Sequence, residues 1–364
     1  MAADLLIGGG IAVASALGLG AIGYRRLSGV MPFLFANARI QARGAKGISN
    51  SQAKAFSEKR SLAELASSLN ETDYAGCFGE KQDVRAFHNA LERTFVEKAM
   101  ELREMSPVNF QKLLDAYLGF YEAKVLKAVY RSRFFSGEED LGELVFSVGE
   151  INSALLQKLL ETKTTADVNT VMASTSFAGV FSENFDGLGQ FEVFLDGFVL
   201  DRFTSLLKGL KICDKKPILD LLNMKLDIIN LLVLVKCIVR NVDKEERKKL
   251  LIKNNGALFP RLDSLTGASN LKELSEACSG LVYSDVLGRA FERFEKDGML
   301  FHFEVELHRL FKKILSNAEL YHFQGPFPLF SHLFGKEIEV RNLMAASSGI
   351  EGKFSAEEIG ELLI

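Results

Sequence analysis

Apolar residues recur at spacings of three and four along most of the chain, a pattern typical of helices that bury one face. Long windows of this kind cover residues 84–104 and 107–132, and a shorter one covers residues 61–69. Only six prolines interrupt the 364 residues, so long helices are permitted almost throughout. The pattern therefore predicts an all-α protein.

Residues 228–235, in the middle of the chain, are apolar almost all round. A helix without a continuous polar face is normally buried in a large core. This segment of eight residues is far too short to span a membrane. We therefore predict a buried helix here.

Three of the predicted helices carry the same short pattern: an acidic residue, then Asn or Val three positions later, then Leu. The acidic residues are Glu122, Asp227 and Glu339, which stand 105 and 112 residues apart. Similarity that returns at a nearly fixed period indicates repeated structural units, and this period has the size of a domain.

Other features recur in the same order around each acidic residue. A proline precedes it, as suits the first turn of a helix, and an acid-rich helix start follows it, as suits the positive end of the helix dipole. The prolines are Pro107, Pro217 and Pro328. We predict three copies of one helical unit, packed side by side without a low-complexity linker. The predicted boundaries are an apolar segment at 1–30 and units at 33–135, 136–241 and 242–364.

Residues 5–24 carry no charge and are followed by Arg25 and Arg26. Twenty apolar residues can just cross a bilayer as a helix, and the arginines would hold its C-terminal side in the cytoplasm. Small residues at a spacing of four would allow close helix packing in lipid; they are Gly8, Ala12, Ala16 and Gly20. We expect a membrane anchor or membrane plug here, with a cleaved signal peptide and a buried or surface helix as alternatives.

The same segment contains a literal G-x-G-x-x-G between Gly18 and Gly23. A dinucleotide-binding motif needs a strand before it, a helix after it and an acid about 20 residues further on. Arg39 and Arg43 stand downstream instead, in a predicted helix. We therefore predict no bound cofactor.

The net charge and the cysteines indicate which binding partners and which cellular compartment to expect. The formal net charge of −3 gives no electrostatic reason to expect nucleic acid as a partner. The cysteines are scattered without a metal-like spacing, which favours reduced thiols in a cytosolic compartment. They are Cys77, Cys213, Cys237 and Cys278.

One cluster of residues has the side chains of a metal site but not its geometry: His302, Glu304, Glu306 and His308. On a helix His302 and Glu306 share one face, whereas Glu304 and His308 share another. No P-loop, H-E-x-x-H or G-x-S-x-G pattern occurs in the chain either. We predict neither a metal site nor catalytic residues.

The repeated acidic position is better explained as a packing joint than as an active site, because three copies of an active site in one chain would be unusual. Charge-assisted hydrogen bonds could tie a buried helix to its neighbours, provided that every buried polar group is paired. The residues expected to do so are Asp227, Asn230 and Arg240 in the second unit, and Glu339, Arg341 and Asn342 in the third.

Four motifs occur in a fixed order: A-N-A-R-x-x-A at 36–42, E-L-A-x-x-L-x-x-T-x-Y at 64–74, D-x-x-N-L-x-x-L-x-x-x-x-x-R at 227–240 and K-E-x-E-x-R-N-L at 336–343. With the threefold repeat, they resemble the central-stalk C subunit of the archaeal-type (A/V-type) ATP synthases, which is similar to the d subunit of vacuolar ATPases. The resemblance covers residues 33–364, and Val125 departs from it where Asn is usual. The signature positions are Glu122, Asp227, Asn230, Arg240, Lys336, Glu339, Arg341 and Asn342.

The resemblance implies three similar all-α domains around a pseudo-threefold axis, forming a funnel. The cavity of the funnel would receive the shaft made by the D and F stalk subunits, and its broad face would rest on the membrane rotor ring. The protein would be a non-catalytic rotor component at the cytoplasmic face of the cell membrane, peripheral or with one inserted N-terminal helix. It would couple shaft and ring during proton- or sodium-driven ATP synthesis or ATP-driven ion pumping.

Two other functions remain open from the sequence. One is a membrane-tethered helical scaffold for other proteins, and the other is a flavin or nicotinamide enzyme. Co-purification with the catalytic and ring components of an ATPase would favour the stalk function over both, and cofactor absorbance would favour the enzyme.

Overall fold

The computed structural model describes residues 29–43, 48, 50–79, 83–134, 146–182, 185 and 187–364. These residues form α-helices joined by turns and short 3-10 segments, and within them the only strand-like pairing is an isolated bridge between Val148 and Ile151. The all-α prediction is confirmed. The predicted apolar helix at residues 5–24 lies outside the described residues.

The described residues contain sixteen α-helices, which we number in chain order. They are α1 (Leu34–Arg43), α2 (Asn50–Phe56), α3 (Leu62–Ser68), α4 (Val84–Met105), α5 (Val108–Phe134), α6 (Ser153–Glu161), α7 (Thr165–Met172), α8 (Leu188–Gly209), α9 (Lys215–Val239), α10 (Lys244–Lys249), α11 (Leu262–Gly267), α12 (Leu271–Ala277), α13 (Ser284–Asp297), α14 (Phe301–Tyr321), α15 (Phe327–Glu351) and α16 (Ala356–Leu362).

Long helices build the core by packing in pairs. The most extensive pairings are α5 with α8, α4 with α15, α13 with α14, and α9 with α14. In α9, Ile228, Leu231 and Leu234 follow one another at a spacing of three along one side of the helix and are all buried, whereas Ile229 on another side is 38% exposed. The predicted burial of residues 228–235 is therefore confirmed on the side of Ile228, Leu231 and Leu234 and is wrong at Ile229.

Short helices begin where the sequence places a capping side chain. Ser61, Thr164 and Asn270 each accept a hydrogen bond from the backbone N–H three residues later, at 3.2, 3.1 and 2.9 Å. Such a bond satisfies one of the N–H groups that a helix start leaves without an intrahelical partner. The three capped helices, α3, α7 and α12, occupy corresponding places in the predicted units.

The beginning of the described chain packs against its end. Helices α1, α2 and α3 all contact α15. The Asn37 side-chain amide donates to the carbonyl of Gly325 at 2.9 Å, and the ring of Phe33 packs edge-on against Phe110, with ring centres 5.0 Å apart. The last long helix is therefore covered by the first short ones.

Among the residues described here, no helix combines the length and the apolar character needed to cross a membrane.

Candidate functional site

Asp227 is fully buried in α9 and binds the segment between α10 and α13. Its carboxylate accepts hydrogen bonds from the Asn254 side-chain amide at 2.9 Å, the Ala257 backbone N–H at 2.8 Å and the Tyr283 hydroxyl at 3.0 Å. The backbone N–H of Leu258 lies 3.4 Å from the same carboxylate. Burial raises the pKa of Asp227, and these donors oppose the rise because they stabilise the charged form.

Asn230 and Asn342 hold their neighbours through paired hydrogen bonds. Each side chain both donates to and accepts from the backbone of a residue 22 positions further on. Asn230 makes both bonds to Ile252 at 2.9 Å, and Asn342 makes bonds of 3.1 and 2.8 Å to Ile364. Val125 occupies this position in the first predicted unit and has no polar group with which to do the same.

Glu339 in α15 binds residues near the beginning of the described chain. Its carboxylate accepts a hydrogen bond from the Tyr74 hydroxyl at 3.2 Å and from the Ile48 backbone N–H at 3.3 Å. The ammonium of Lys336 lies 2.8 Å from Glu339 and 2.7 Å from Asp73. Burial alone would lower the pKa of Lys336, but the two carboxylates raise it overall. Lys336 therefore stays charged and links α15 to the loop after α3.

Glu122 in α5 binds the turn before α6. Its Oε1 accepts a hydrogen bond from the backbone N–H of Glu150. The carboxylate of Glu150 accepts from the Ser176 backbone N–H at 2.6 Å and from the Arg202 guanidinium at 2.9 Å. Through Glu150, the contact thus joins α5 to the turn before α6 and to the loop after α7.

Glu122 is less well paired than the other two acids. Its Oε2 is buried without a hydrogen-bond partner. A tyrosine hydroxyl reaches Asp227 and Glu339, but the corresponding residue of the second predicted unit is Phe177, which has no hydroxyl. Burial raises the pKa of Glu122 to about 7. We name the contacts around Glu122, Asp227 and Glu339 the three carboxylate joints.

The two arginines of the sequence prediction lie outside these joints. Arg240 is exposed at the C-terminal end of α9, about 20 Å along the helix from Asp227. Of the hydrogen bonds in the described chain, none joins Arg240 to Asp227 or Asn230, and its role in tying α9 to a neighbouring segment stays a prediction. Arg341 instead pairs with Glu304 of α14.

Arg247, which the sequence did not single out, holds a different set of backbone groups. It is buried, and its guanidinium donates to the carbonyls of Val242 at 2.7 Å, Thr266 at 3.2 Å and Ala268 at 2.5 Å. Carbonyls at the ends of short helices have no intrahelical donor, and Arg247 supplies one. In the sequence, Arg247 stands in an acid-rich helix start, where a charged residue is normally solvent-exposed, so the sequence pattern did not identify it.

A polar cluster lies where α5, α9 and α15 meet. The Lys225 ammonium is 2.6 and 2.7 Å from the two carboxylate oxygens of Glu337. The hydroxyls of Tyr117 and Tyr121 donate to Glu337 at 2.7 and 2.9 Å. Lys225 and Glu337 each stand two residues before a joint acid, so opposite charges occupy matching positions of two predicted units. That match is the sequence signal that could have identified them.

This cluster opens onto a cavity of about 520 Å³ between α4, α5, α9, α14 and α15. Aromatic and aliphatic side chains form much of its wall, among them Phe95, Ile229, Phe311 and Met344. Charged groups on the wall are of both signs: Lys124, Lys225 and Arg341 against Glu92, Glu304 and Glu337. Burial, with Arg341 nearby, lowers the pKa of His308 in the wall to about 4, so this imidazole is neutral at physiological pH.

The four residues that imitate a metal site each have other partners. His302 lies 2.6 Å from Asp297, and the backbone carbonyl of Glu304 lies 2.8 Å from His308 Nδ1. The Glu306 carboxylate lies 3.0 Å from the guanidinium of Arg289. Across the described ranges, no group of three or more His, Cys, Asp or Glu side chains is placed to hold a metal ion.

Two of the four thiols are packed in the core, whereas Cys213 is exposed and Cys77 is partly buried. The four cysteines are free, and Cys237 and Cys278 are buried. Burial raises the pKa of Cys278 to about 12, and burial together with Asp214 raises that of Cys213 to about 11. These two thiols are therefore protonated at neutral pH and are poor nucleophiles.

The backbone at Gly256 approaches the Asp227 joint so closely that only glycine fits. A Cβ there would lie 2.2 Å from Oδ1 of Asp227. We expect Gly256→Ala to lower the free energy of unfolding by about 2 kcal/mol in a denaturant titration, because the joint must move apart. Gly288→Ala is the matched control: it lies within α13 with open space around it, and should raise stability by about 1 kcal/mol. Equal effects of the two substitutions would contradict this account of the joint.

Comparison with known proteins relates the whole described core to one family. The family described as ATP synthase (C/AC39) subunit matches residues 36–362. The A-type ATP synthase C subunit of Methanocaldococcus jannaschii is 26% identical over 350 residues, covering 92% of this chain and 86% of that protein. The proteins of the same name from Methanosphaera stadtmanae and Thermococcus onnurineus are each 22% identical, covering 94% and 91% of this chain and 90% of each relative.

All three carboxylate joints and the cavity lie inside the matched range, which extends over most of the chain. The chain therefore belongs to the ATP synthase (C/AC39) subunit family.

Proposed function

We propose that this chain is the non-catalytic central-stalk subunit of an A/V-type ATP synthase. It would couple a shaft made by the D and F stalk subunits to the membrane rotor ring, during proton- or sodium-driven ATP synthesis or ATP-driven ion pumping. Family membership supports its place in an ATP synthase. The observation that carries the coupling role is the cycle of contacts that the three carboxylate joints make between the predicted units.

The joints connect the predicted units in a cycle. Glu122 of unit 33–135 binds Glu150 of unit 136–241, and Asp227 of that unit binds Asn254 of unit 242–364. Glu339 of the third unit binds Tyr74 of the first, which closes the cycle. Equivalent contacts that return to their starting unit are what a pseudo-threefold arrangement of three similar domains requires. This pattern supports the proposed funnel with its domain boundaries.

A coupling component must transmit torque without yielding, and the joints suit that task. Breaking a buried charge-assisted contact costs about 3 kcal/mol or more, so the well-paired joints at Asp227 and Glu339 resist opening. The joints at Asp227 and Glu339 also bind backbone N–H groups, which fixes loops as well as side chains. We infer that rigid joints between units, rather than reactive groups, are what the function needs.

The cavity is the proposed site for the end of the shaft. It lies beside the Lys225–Glu337 cluster, and long helices from all three predicted units contribute to its wall. Its mixed apolar and charged lining is typical of a protein-binding surface. An amphipathic helix end could fill the apolar part and pair with Lys225 or Arg341.

Replacing Ile229 by aspartate is expected to weaken binding of the D–F shaft about tenfold or more, because a partly exposed apolar wall residue becomes an unpaired charge. Binding of the purified shaft to the full chain, measured by calorimetry, checks this. Val239→Asp is the matched control, since Val239 is similarly exposed on the same helix but does not line the cavity. Equal affinities of the two variants would contradict the proposed shaft site.

Co-purification tests the function as a whole. A tagged chain is expected to retain the catalytic and ring components of the ATP synthase. Recovery of unrelated proteins without those components would instead indicate the membrane-tethered scaffold. The proposed location is the cytoplasmic face of the cell membrane against the rotor ring, and insertion of residues 5–24 stays a prediction.

A further inference from the structure

Three segments that are far apart in sequence are held together by hydrogen bonds. The chain start binds the loop between α14 and α15, where Asn37 donates to the carbonyl of Gly325 at 2.9 Å. That loop binds the loop between α8 and α9, where His322 Nδ1 lies 2.9 Å from Asp214 Oδ1. We call residues 29–39, 208–216 and 320–325 the lysine-rich face.

Large apolar side chains project from this face into solvent. Their exposed fractions range from 52% to 80%, so these side chains cover little of one another. Single exposed apolar residues are ordinary, but several on three adjoining segments mark a binding surface. They are Met31, Leu34, Phe35, Leu320, Tyr321 and Phe323.

Positive charge accompanies the apolar side chains. Residues 208–216 contain four lysines and one aspartate, and that aspartate, Asp214, is bound to His322. Lys208 and Lys211 are exposed, and the side chain of Lys216 is 84% exposed. Lys216 is paired with Asp220, and the Lys215 ammonium donates to the carbonyl of Lys208 at 2.8 Å. Among the described residues no ion pair joins Lys208 or Lys211 to a carboxylate, so these two lysines carry the uncompensated charge of the loop.

We propose that the lysine-rich face binds the surface of a membrane that contains anionic phospholipids. Clustered lysines next to aromatic and aliphatic side chains match such a surface, because the ammonium groups meet lipid phosphates while the apolar groups enter the interface. Lysine is depleted in protein–protein interfaces, so this composition favours lipid over a protein partner. The sequence agrees, since the uncharged residues 5–24 and Arg25–Arg26 lead directly into this face. The inference does not depend on the stalk function.

Single tryptophans can report contact between this face and lipid, because the natural chain contains no tryptophan. Full-length Tyr321→Trp is mixed with vesicles of equal parts phosphatidylcholine and phosphatidylglycerol, with brominated acyl chains as quenchers. We expect a blue shift and strong quenching of the introduced tryptophan. Full-length Met299→Trp is the control, since Met299 is also exposed but precedes α14, about 30 Å along that helix from Tyr321. Its fluorescence should not change.

Charge reversal tests the lysines separately. In the Tyr321→Trp chain, adding Lys208→Glu and Lys211→Glu should raise the lipid concentration at half-maximal quenching about thirtyfold. Lys253→Glu with Lys296→Glu reverses two exposed lysines elsewhere and should leave it unchanged. Circular dichroism checks that every variant is folded. Vesicles of phosphatidylcholine alone should produce little quenching in any variant.

Three results would overturn the inference. One is quenching at Met299→Trp equal to that at Tyr321→Trp. Another is equal lipid binding by the two lysine variants. The third is a response of Tyr321→Trp to the purified rotor ring but not to anionic vesicles, which would assign the face to protein docking. Shaft binding by Ile229→Asp is measured without lipid. Its result therefore tests the proposed shaft site and leaves the test of lipid binding at the lysine-rich face independent.

Discussion

Replacing Asp227 by alanine is expected to lower the free energy of unfolding by about 4 kcal/mol, the largest loss that we predict for one side chain. Asp227 is fully buried and accepts hydrogen bonds from Asn254, Ala257 and Tyr283. Alanine would leave these donors inside the protein without an acceptor, at a cost of about 1 kcal/mol or more each, and would also leave a small void. Denaturant titration followed by circular dichroism measures the change.

Two further variants show whether the loss arises from the joint. Tyr283→Phe removes one donor and should cost about 1 kcal/mol. Asp201→Ala removes an exposed carboxylate from α8 and should change stability by less than about 0.5 kcal/mol. A loss below about 1 kcal/mol for Asp227→Ala would mean that water or rearranged side chains replace the carboxylate easily, and that the joint is not rigid.

The acids at the joints could be predicted from the sequence because a repeat distinguishes them from ordinary surface charges. Glu122, Asp227 and Glu339 recur with the same neighbours, and each one contacts the segments of another predicted unit. Asn230 and Asn342 could be predicted for the same reason, since each stands three residues after its acid. The repeat period alone shows that Asn230 and Asn342 occupy equivalent positions of their units.

Several partners of these acids could not be predicted, because they are backbone groups of loops. The Ala257 N–H binds Asp227 through local turn geometry, which no side-chain pattern records. Arg240 belongs to the same motif in sequence as Asp227 but lies too far along the helix to reach it. A sequence motif records the order of residues along the chain, but it does not record which of them come within hydrogen-bonding distance in the folded protein.

The cavity shows a further limit of reading one helix at a time. Periodicity indicates which side of α9 is apolar, but α9 is apolar on several sides, so it does not say which side faces the other long helices. Lys225 and Glu337 therefore look like separate boundary charges in the sequence. Only the distance of 2.6 Å between Lys225 on α9 and Glu337 on α15 shows that they form one ion pair.

The joint at Glu122 is expected to make stability depend on pH. Burial raises its pKa from the ordinary value of 4.5 to about 7, with Glu150 and Asp115 adding to the rise and Arg202 and the Glu150 N–H opposing it. Between these two pH values the folded protein binds more protons than the unfolded chain, so the stability contributed by Glu122 falls as pH rises. The full cost is about 3 kcal/mol, reached above pH 7, and it disappears below about pH 4.

Glu122→Gln removes this dependence, because the amide keeps an oxygen to accept the Glu150 N–H and never carries charge. The variant is expected to be more stable than the natural chain by about 3 kcal/mol at pH 8, and equally stable or slightly less stable at pH 4. Denaturant titrations at several pH values measure the difference, and Glu71→Gln, at an exposed position, should show none. A constant difference between pH 4 and pH 8 would mean that Glu122 stays ionised throughout. In that event a donor must reach Oε2, and the first joint would be as fully paired as the joints at Asp227 and Glu339.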